Sequence, residues 1–157
     1  MLNLIHDARQ SDLGTIVMLR MSDTHAHKLA DWCAQHDVPC MDPEHMHLTL
    51  IRTIKPEPYL LQLNNTETHV VTKPAGWKLL GASSLVLSLD SPQCMRMHYH
   101  LTKSGTQHQF PDYIPHVSVS YKWYADMPLP IQVPDFELVF DWVEADRVDP
   151  NFAAKVS

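Results

Sequence analysis

Two short stretches of the sequence decide the fold: HLTL at residues 47–50 and HVSV at residues 116–119. In both stretches a histidine and a hydroxyl residue alternate with two aliphatic residues. Side chains alternate between the two faces of a β-strand, so each stretch would bury its aliphatic face and present the histidine and hydroxyl together. The pair predicts two equivalent strands.

Each stretch ends a strand–helix–strand unit. In the first unit, strand-like residues Thr15–Met21 precede an apolar stripe of helical spacing over residues 24–37. In the second, a strand at 85–90 precedes a helix at 91–104, which opens on a Ser-Pro pair suited to a helix N-terminus. One more strand is predicted at 136–143. The two halves share this architecture without sharing sequence.

The repeat predicts an α+β fold with two pseudo-symmetric strand–helix–strand lobes around a central cleft, and with antiparallel or mixed sheets. Lobe one covers about residues 15–54 and lobe two about residues 85–123. A chain of 157 residues is long enough for one core of useful size, so we expect a single domain over 1–157.

The charge balance limits the partners of the protein. Lys and Arg number 12 against 18 Asp and Glu, which gives a net charge of −6. A protein that binds long nucleic acid needs excess positive charge on one face, so we expect no such partner. A small nucleotide remains compatible, since a few local groups can meet its charges.

The sequence also indicates the cellular compartment of the protein. No apolar run reaches the roughly 18 residues of a membrane span, and residues 1–10 lack the basic start and apolar middle of a signal peptide. Three cysteines, at positions 33, 40 and 94, form no disulfide framework. We therefore expect a cytoplasmic protein without membrane contact. A monomer is expected as well, although none of these features fixes the oligomeric state.

The side chains of the two polar faces suit phosphoryl transfer without a metal or another cofactor. One neutral imidazole, from His47 or His116, can remove the proton of an attacking oxygen. The other, protonated, can donate a proton to the leaving oxygen. Thr49 and Ser118 can donate hydrogen bonds to the non-bridging oxygens, where charge must be stabilised. The sequence leaves open which histidine is the base.

Residues 46–51 (MHLTLI) and 115–120 (PHVSVS) resemble the paired His-x-Thr/Ser motifs of the 2H phosphoesterase superfamily. Within it, residues 5–33 and 45–60 resemble the cyclic-oligonucleotide phosphodiesterases with which bacteriophages counter the bacterial CBASS defence. The resemblance implies cleavage of small cyclic nucleotide signals, such as 3′,3′-cyclic GMP-AMP, in the host cytoplasm. It also implies catalytic roles for the four motif residues, with the Ser118 hydroxyl replacing that of a threonine.

Two further residues are candidates for substrate binding. Trp77 lies in the segment 73–78, and the proline and glycine of this segment predict a loop. The Trp77 ring could fill the core or stack on a base. Glu144 could accept hydrogen bonds from a base edge, or it could be an ordinary surface acid. Lys122 shares by alternation the face of His116, Ser118 and Ser120.

Alternatives stay open. The cysteines and histidines at 33, 36, 40 and 45 are zinc-ligand types, but their spacing matches no familiar zinc motif, so no metal is expected. A 2H-type chain could instead open 2′,3′-cyclic phosphates or process RNA ends. It could also sequester cyclic nucleotides without cleaving them, although sequestration requires no paired acid and base.

Overall fold

The computed structural model describes residues 13–103, 106, 108 and 112–152. Six strands, two α-helices and two short 3-10 helices form the described part of the chain. The strands are β1 (Thr15–Met21), β2 (His47–Arg52), β3 (Thr66–Leu80), β4 (Ser84–Asp90), β5 (His116–Ser120) and β6 (Leu138–Arg147). The α-helices are α1 (Asp23–Gln35) and α2 (Pro92–Lys103), and the 3-10 helices are Pro43–His45 and Pro58–Leu63.

The strands close into a barrel in the order β1-β2-β5-β4-β3-β6, and each of these neighbours pairs antiparallel. Strands β6, β1 and β2 form one half of the barrel, and β3, β4 and β5 form the other. The two halves meet where β2 lies beside β5 and where β3 lies beside β6. The predicted α+β fold with its paired strand–helix–strand units is confirmed.

Both helices begin where the sequence predicts. The Ser22 hydroxyl accepts a hydrogen bond from the His25 backbone N–H at 3.2 Å, and the Ser91 hydroxyl accepts one from Cys94 at the same distance. Each bond satisfies an N–H that has no partner within the helix. Neither described helix is long and apolar enough to cross a membrane.

Strand β3 corrects the prediction of a loop at residues 73–78. Pro74 pairs with Leu89 and Gly76 with Ser88, so Ala75 is an extra residue in the strand. A proline has no N–H for the sheet, and such an irregularity is one of the places where a strand accommodates it. Sequence reasoning took the proline and glycine as the end of regular structure, whereas they mark a bulge.

A second bulge sets the faces of β2. Thr49 lies opposite Met18 of β1, but Ile51 lies opposite Val17, so Leu50 is the extra residue. Leu50 and Ile51 are both buried. The bulge thus shifts the alternation by one residue, and the side that carries Thr49 is next occupied by Arg52.

Strand β5 has an equivalent bulge at Val119, between Ser118 and Ser120. Val119 and Ser120 are both buried, and Tyr121 is the next residue to line the cavity described below. The prediction that Ser120 and Lys122 share the face of Ser118 is therefore wrong, because it assumed uninterrupted alternation. The two bulges stand at the same place in the two motif strands.

Candidate active site

The two motifs lie side by side where the halves of the barrel meet. Strands β2 and β5 are antiparallel, and Leu48 is the partner of Val117. These are the central residues of the two His-x-Thr/Ser motifs, and both are fully buried. They belong to the hydrophobic core, which also contains Leu29 of α1 and Cys94 of α2. Because the two motif strands are antiparallel and pair at these two residues, a pseudo-twofold axis passes between Leu48 and Val117.

The polar residues of the motifs follow from this register. In an antiparallel pair, the residue before one partner faces the residue after the other. His47 therefore lies across from Ser118, and Thr49 lies across from His116. All four side chains are half-buried and line one cavity. The structure brings together the four residues that the sequence singled out.

The cavity has a volume of about 800 Å³, within the range of sites that hold a small ligand. Its lining carries both signs of charge. The basic residues are Arg20, Arg52, Lys78 and Arg147, and the acidic residues are Glu44, Asp112, Glu144, Asp146 and Asp149. Ligand charges can therefore be matched locally in spite of the negative net charge of the chain.

The two imidazoles are oriented in the same way. His47 Nδ1 lies 3.1 Å from the carbonyl oxygen of His45, and His116 Nδ1 lies 2.8 Å from that of Ile114. A carbonyl oxygen only accepts hydrogen bonds, so each Nδ1 carries the proton and donates it. Each ring therefore has Nε2 left for proton exchange with a ligand.

The residues that lie opposite the two histidines on the flanking strands, β1 and β4, differ in charge. On β1, Arg20 lies opposite His47, whereas on β4 the uncharged Ser88 lies opposite His116. Arg20 donates from Nη1 to a Glu144 carboxylate oxygen at 2.9 Å and from Nη2 to the Glu44 carbonyl at 2.6 Å. One histidine therefore has a charged neighbour on the adjacent strand and the other has a neutral one.

The pKa of His47 is lowered, mainly because its ring is buried. The His45 carbonyl and the Glu144 carboxylate oppose this change, while the charges of His116 and Arg20 add to it. A lowered pKa means that the neutral form of His47 is the more stable one near neutrality. A neutral imidazole with an unprotonated Nε2 can act as a base.

Glu144 lies on the cavity wall, as expected of a substrate-binding residue, but its carboxylate is bound to Arg20. Its contact with a base edge stays a prediction. Trp77, by contrast, lies in the core and does not line the cavity. Its ring stacks on Trp32, and its Nε1–H donates to the Gln132 carbonyl at 2.7 Å. The predicted cleft position of Trp77 is wrong, because β3 turns this side chain inward.

No three histidine, cysteine or acidic side chains are grouped as a metal site within the described residues. Cys33 is buried in the core, as its place on the helical stripe predicts. Its thiol interacts with that of Cys40, and this interaction lowers the pKa of Cys40 to about 7. The candidate zinc ligands at 33, 36, 40 and 45 are therefore not assembled.

Side chains from the second half of the barrel hold the motif strand of the first. They come from α2 and the segment that follows it, and they bond to main-chain atoms of residues 49–52. Tyr113 Oη donates to the Thr49 carbonyl at 2.8 Å, His98 Nδ1 lies 2.6 Å from the Leu50 carbonyl, and the Arg52 N–H donates to His108 Nδ1 at 3.0 Å. These bonds supplement the short main-chain pairing between β2 and β5.

Arg52, Tyr121 and Phe152 are among the cavity residues that sequence reasoning missed. Phe152 sits edge-on to the His47 ring at 5.2 Å and to Tyr121 at 6.2 Å. Arg52 and Tyr121 each follow their motif histidine by five positions. This equal spacing was a signal in the sequence, but only the bulges explain why it places both residues on the cavity.

Solved structures share this fold. Escherichia coli LigT complexed with 3′-AMP superposes with a TM-score of 0.62 at 12% identity, over 85% of this chain and 87% of that one. The protein TT0787 of Thermus thermophilus gives a TM-score of 0.61 at 11% identity, over 87% and 89%. At these identities the comparison shows the 2H phosphoesterase fold alone.

Sequence relatives are more specific. The anti-CBASS protein Acb1 of Enterobacteria phage T4 is 30% identical over 110 residues, which cover 64% of this chain and 72% of that protein. Acb1 of Salmonella phage S16 is 28% identical over 109 residues, covering 69% and 72%. The family model of the anti-CBASS protein Acb1 matches residues 13–155. This chain therefore belongs to the anti-CBASS protein Acb1 family.

Proposed function

We propose that this protein is a metal-independent phosphodiesterase that converts cyclic di- and oligonucleotide signals, such as 3′,3′-cyclic GMP-AMP, to linear products. By removing these signals it would counteract CBASS defence in the infected bacterial cell. One observation carries the proposal. His47, Thr49, His116 and Ser118, which lie far apart in sequence, meet on one face of two adjacent strands inside a cavity.

In this proposal His47 is the general base and His116 the general acid. Burial lowers the pKa of His47, and its bond to the His45 carbonyl leaves Nε2 free to accept a proton. His116 lies on the other side of the pseudo-twofold axis, opposite uncharged Ser88, and takes the complementary role. Two imidazoles on opposite sides of a phosphate can serve the attacking and the leaving oxygen separately.

A ribose 2′-hydroxyl is the proposed nucleophile, since it is already next to the 3′–5′ phosphodiester and its attack is intramolecular. His47 Nε2 takes the proton of this hydroxyl while O2′ forms a bond to phosphorus. The bond from phosphorus to O5′ breaks, and His116 donates a proton to O5′. Thr49 and Ser118 donate hydrogen bonds to the non-bridging oxygens. The first product is a linear chain that ends in a 2′,3′-cyclic phosphate, which water can open later.

The volume of the cavity and the charges of its wall favour a small cyclic substrate over a long RNA. Its volume of about 800 Å³ fits a ligand of nucleotide size. Its wall combines four basic with five acidic residues. A groove for long RNA would instead need a continuous basic track. We therefore place open RNA ends second among the substrates.

The direct test is to incubate the purified protein with a panel of cyclic dinucleotides and to identify products by mass spectrometry. Linear products are expected from the wild type, and His47→Ala and His116→Ala should each reduce turnover by about 10²-fold or more with the fold intact. Tight binding without any linear product would instead indicate sequestration. Cleavage of 2′,3′-cyclic phosphate ends alone would favour the RNA-end alternative.

A further inference from the structure

Arg52 is a cavity residue whose side chain is not engaged elsewhere in the described protein. The β2 bulge returns it to the face that carries His47 and Thr49, and it lines the cavity. Its Nε is buried and has no hydrogen-bond partner among the described residues. A buried donor without a partner is rare in native proteins and frequently marks a functional site.

The comparison with Arg20 makes this clearer. Both arginines lie on the cavity face of neighbouring strands, but Arg20 already binds the Glu144 carboxylate and the Glu44 carbonyl. Within the described residues, no carboxylate lies within ion-pair distance of Arg52. Arg20 is thus committed to the protein itself, while the guanidinium of Arg52 can serve a ligand.

Tyr121 shows where the Arg52 charge acts. Arg52 follows Thr49 at one end of the motif pair, and Tyr121 follows Ser118 at the opposite end, because the strands are antiparallel. Burial raises the pKa of Tyr121, and both the Ser118 hydroxyl and the Arg52 charge oppose this rise. Arg52 and Tyr121 both line the cavity, so the charge of Arg52 acts on the space that the motif side chains share.

We propose that Arg52 is a phosphate-binding residue that donates to a non-bridging oxygen of the scissile phosphodiester, together with Thr49 and Ser118. This inference rests on the proposed function. The chemistry requires such a group, because negative charge on these oxygens grows as O2′ attacks and two neutral hydroxyls leave most of it unmatched. A guanidinium fork matches the geometry of a phosphate and stays charged at every working pH.

The test measures binding and turnover in wild type, Arg52→Met and Arg52→Lys. The binding ligand is a cyclic dinucleotide that lacks both 2′-hydroxyls, and the substrate is its ribose counterpart. Arg52→Met should weaken binding by about 10- to 100-fold and reduce kcat/KM at least as much, while Arg52→Lys restores part of both. Arg96→Met is the matched control, since Arg96 is an exposed α2 residue outside the cavity.

Chemical rescue distinguishes the loss of the guanidinium group from a general disturbance of the structure by the substitution. Added guanidinium ion should restore turnover in Arg52→Ala, whereas sodium at equal ionic strength should not. Binding and kcat/KM that are equal in Arg52→Met, Arg96→Met and wild type would overturn the inference, as would a loss in Arg52→Ala that guanidinium leaves unchanged. A wild type that cleaves no cyclic dinucleotide would instead refute the proposed function on which the inference depends.

Discussion

Replacing Arg20 by methionine tests the assignment of His47 as the base. Arg20 lies opposite His47 and holds Glu144 in an ion pair. Its removal takes away a cation that lowers the pKa of His47 and frees a carboxylate that raises it. Both effects favour the imidazolium, so the pKa of His47 should rise. Because a base works only when neutral, the acidic limb of the pH–rate profile should move to higher pH.

The size of the shift follows from the separation of the charges. Side chains opposite each other on neighbouring strands have Cβ atoms about 5 Å apart, which puts the charges roughly 6 Å apart. Coulomb's law then gives about 0.7 kcal/mol in water and about 2.8 kcal/mol at an effective dielectric constant near 20. With 1.36 kcal/mol for each pH unit, we expect the acidic limb to move by about 0.5 to 2 units.

The assay is kcat/KM for cleavage of a cyclic dinucleotide between about pH 5 and pH 9, which reports the ionisations of the free enzyme. Arg96→Met removes a distant exposed cation and should leave the acidic limb in place. An unmoved limb in Arg20→Met would refute the proposed electrostatic coupling. A shift confined to the alkaline limb would mean that His47 is the acid, and the two roles would be exchanged.

Four other outcomes are expected. A cyclic dinucleotide without 2′-hydroxyls should bind but resist cleavage, and mass spectrometry that shows equal cleavage would indicate direct attack by water. Turnover should persist in excess chelator; loss of activity that a divalent ion restores would contradict a metal-independent mechanism. Trp77→Ala should lower the free energy of unfolding by about 3 to 5 kcal/mol in urea titrations and leave the KM unchanged, because Trp77 is a core residue. Burial and the nearby His98 lower the pKa of His108 to about 4. The free energy of unfolding should therefore keep its full value above about pH 6.5 and should fall by at most about 3 kcal/mol as the pH is lowered toward 4. His108→Gln should flatten that dependence in urea titrations at several pH values.

The parts of the fold that depend on local pattern could be predicted from the sequence. Strand β1 has the predicted bounds, and the hydroxyls of Ser22 and Ser91 begin both helices. The motif residues were found because each motif keeps a strict alternation over four positions. Their meeting in space could be inferred from the repeat, since equivalent strands in equivalent units can lie next to a common axis.

Two of the errors share a physical cause, which is that bulges interrupt alternation without a clear signature in composition. The irregularity at Ala75 hid β3, and the one at Val119 misplaced Ser120. Arg20 was missed for a different reason. Its importance depends on Glu144, which lies far away in sequence and becomes its partner only when β1 pairs with β6.

The paired bulges also determine what a one-residue change in chain length would do. A substitution at Leu50 alters one buried contact, but deletion of this residue would remove the bulge and restore simple alternation in β2. Ile51 would then take the buried place of Leu50, and Arg52 would keep its place on the cavity. The same holds for Val119, Ser120 and Tyr121 in β5. Within these segments, loss of the bulge residue therefore leaves the cavity-facing residues in place and removes one buried side chain, so a single deletion there should lower the stability of the protein more than it alters the cavity.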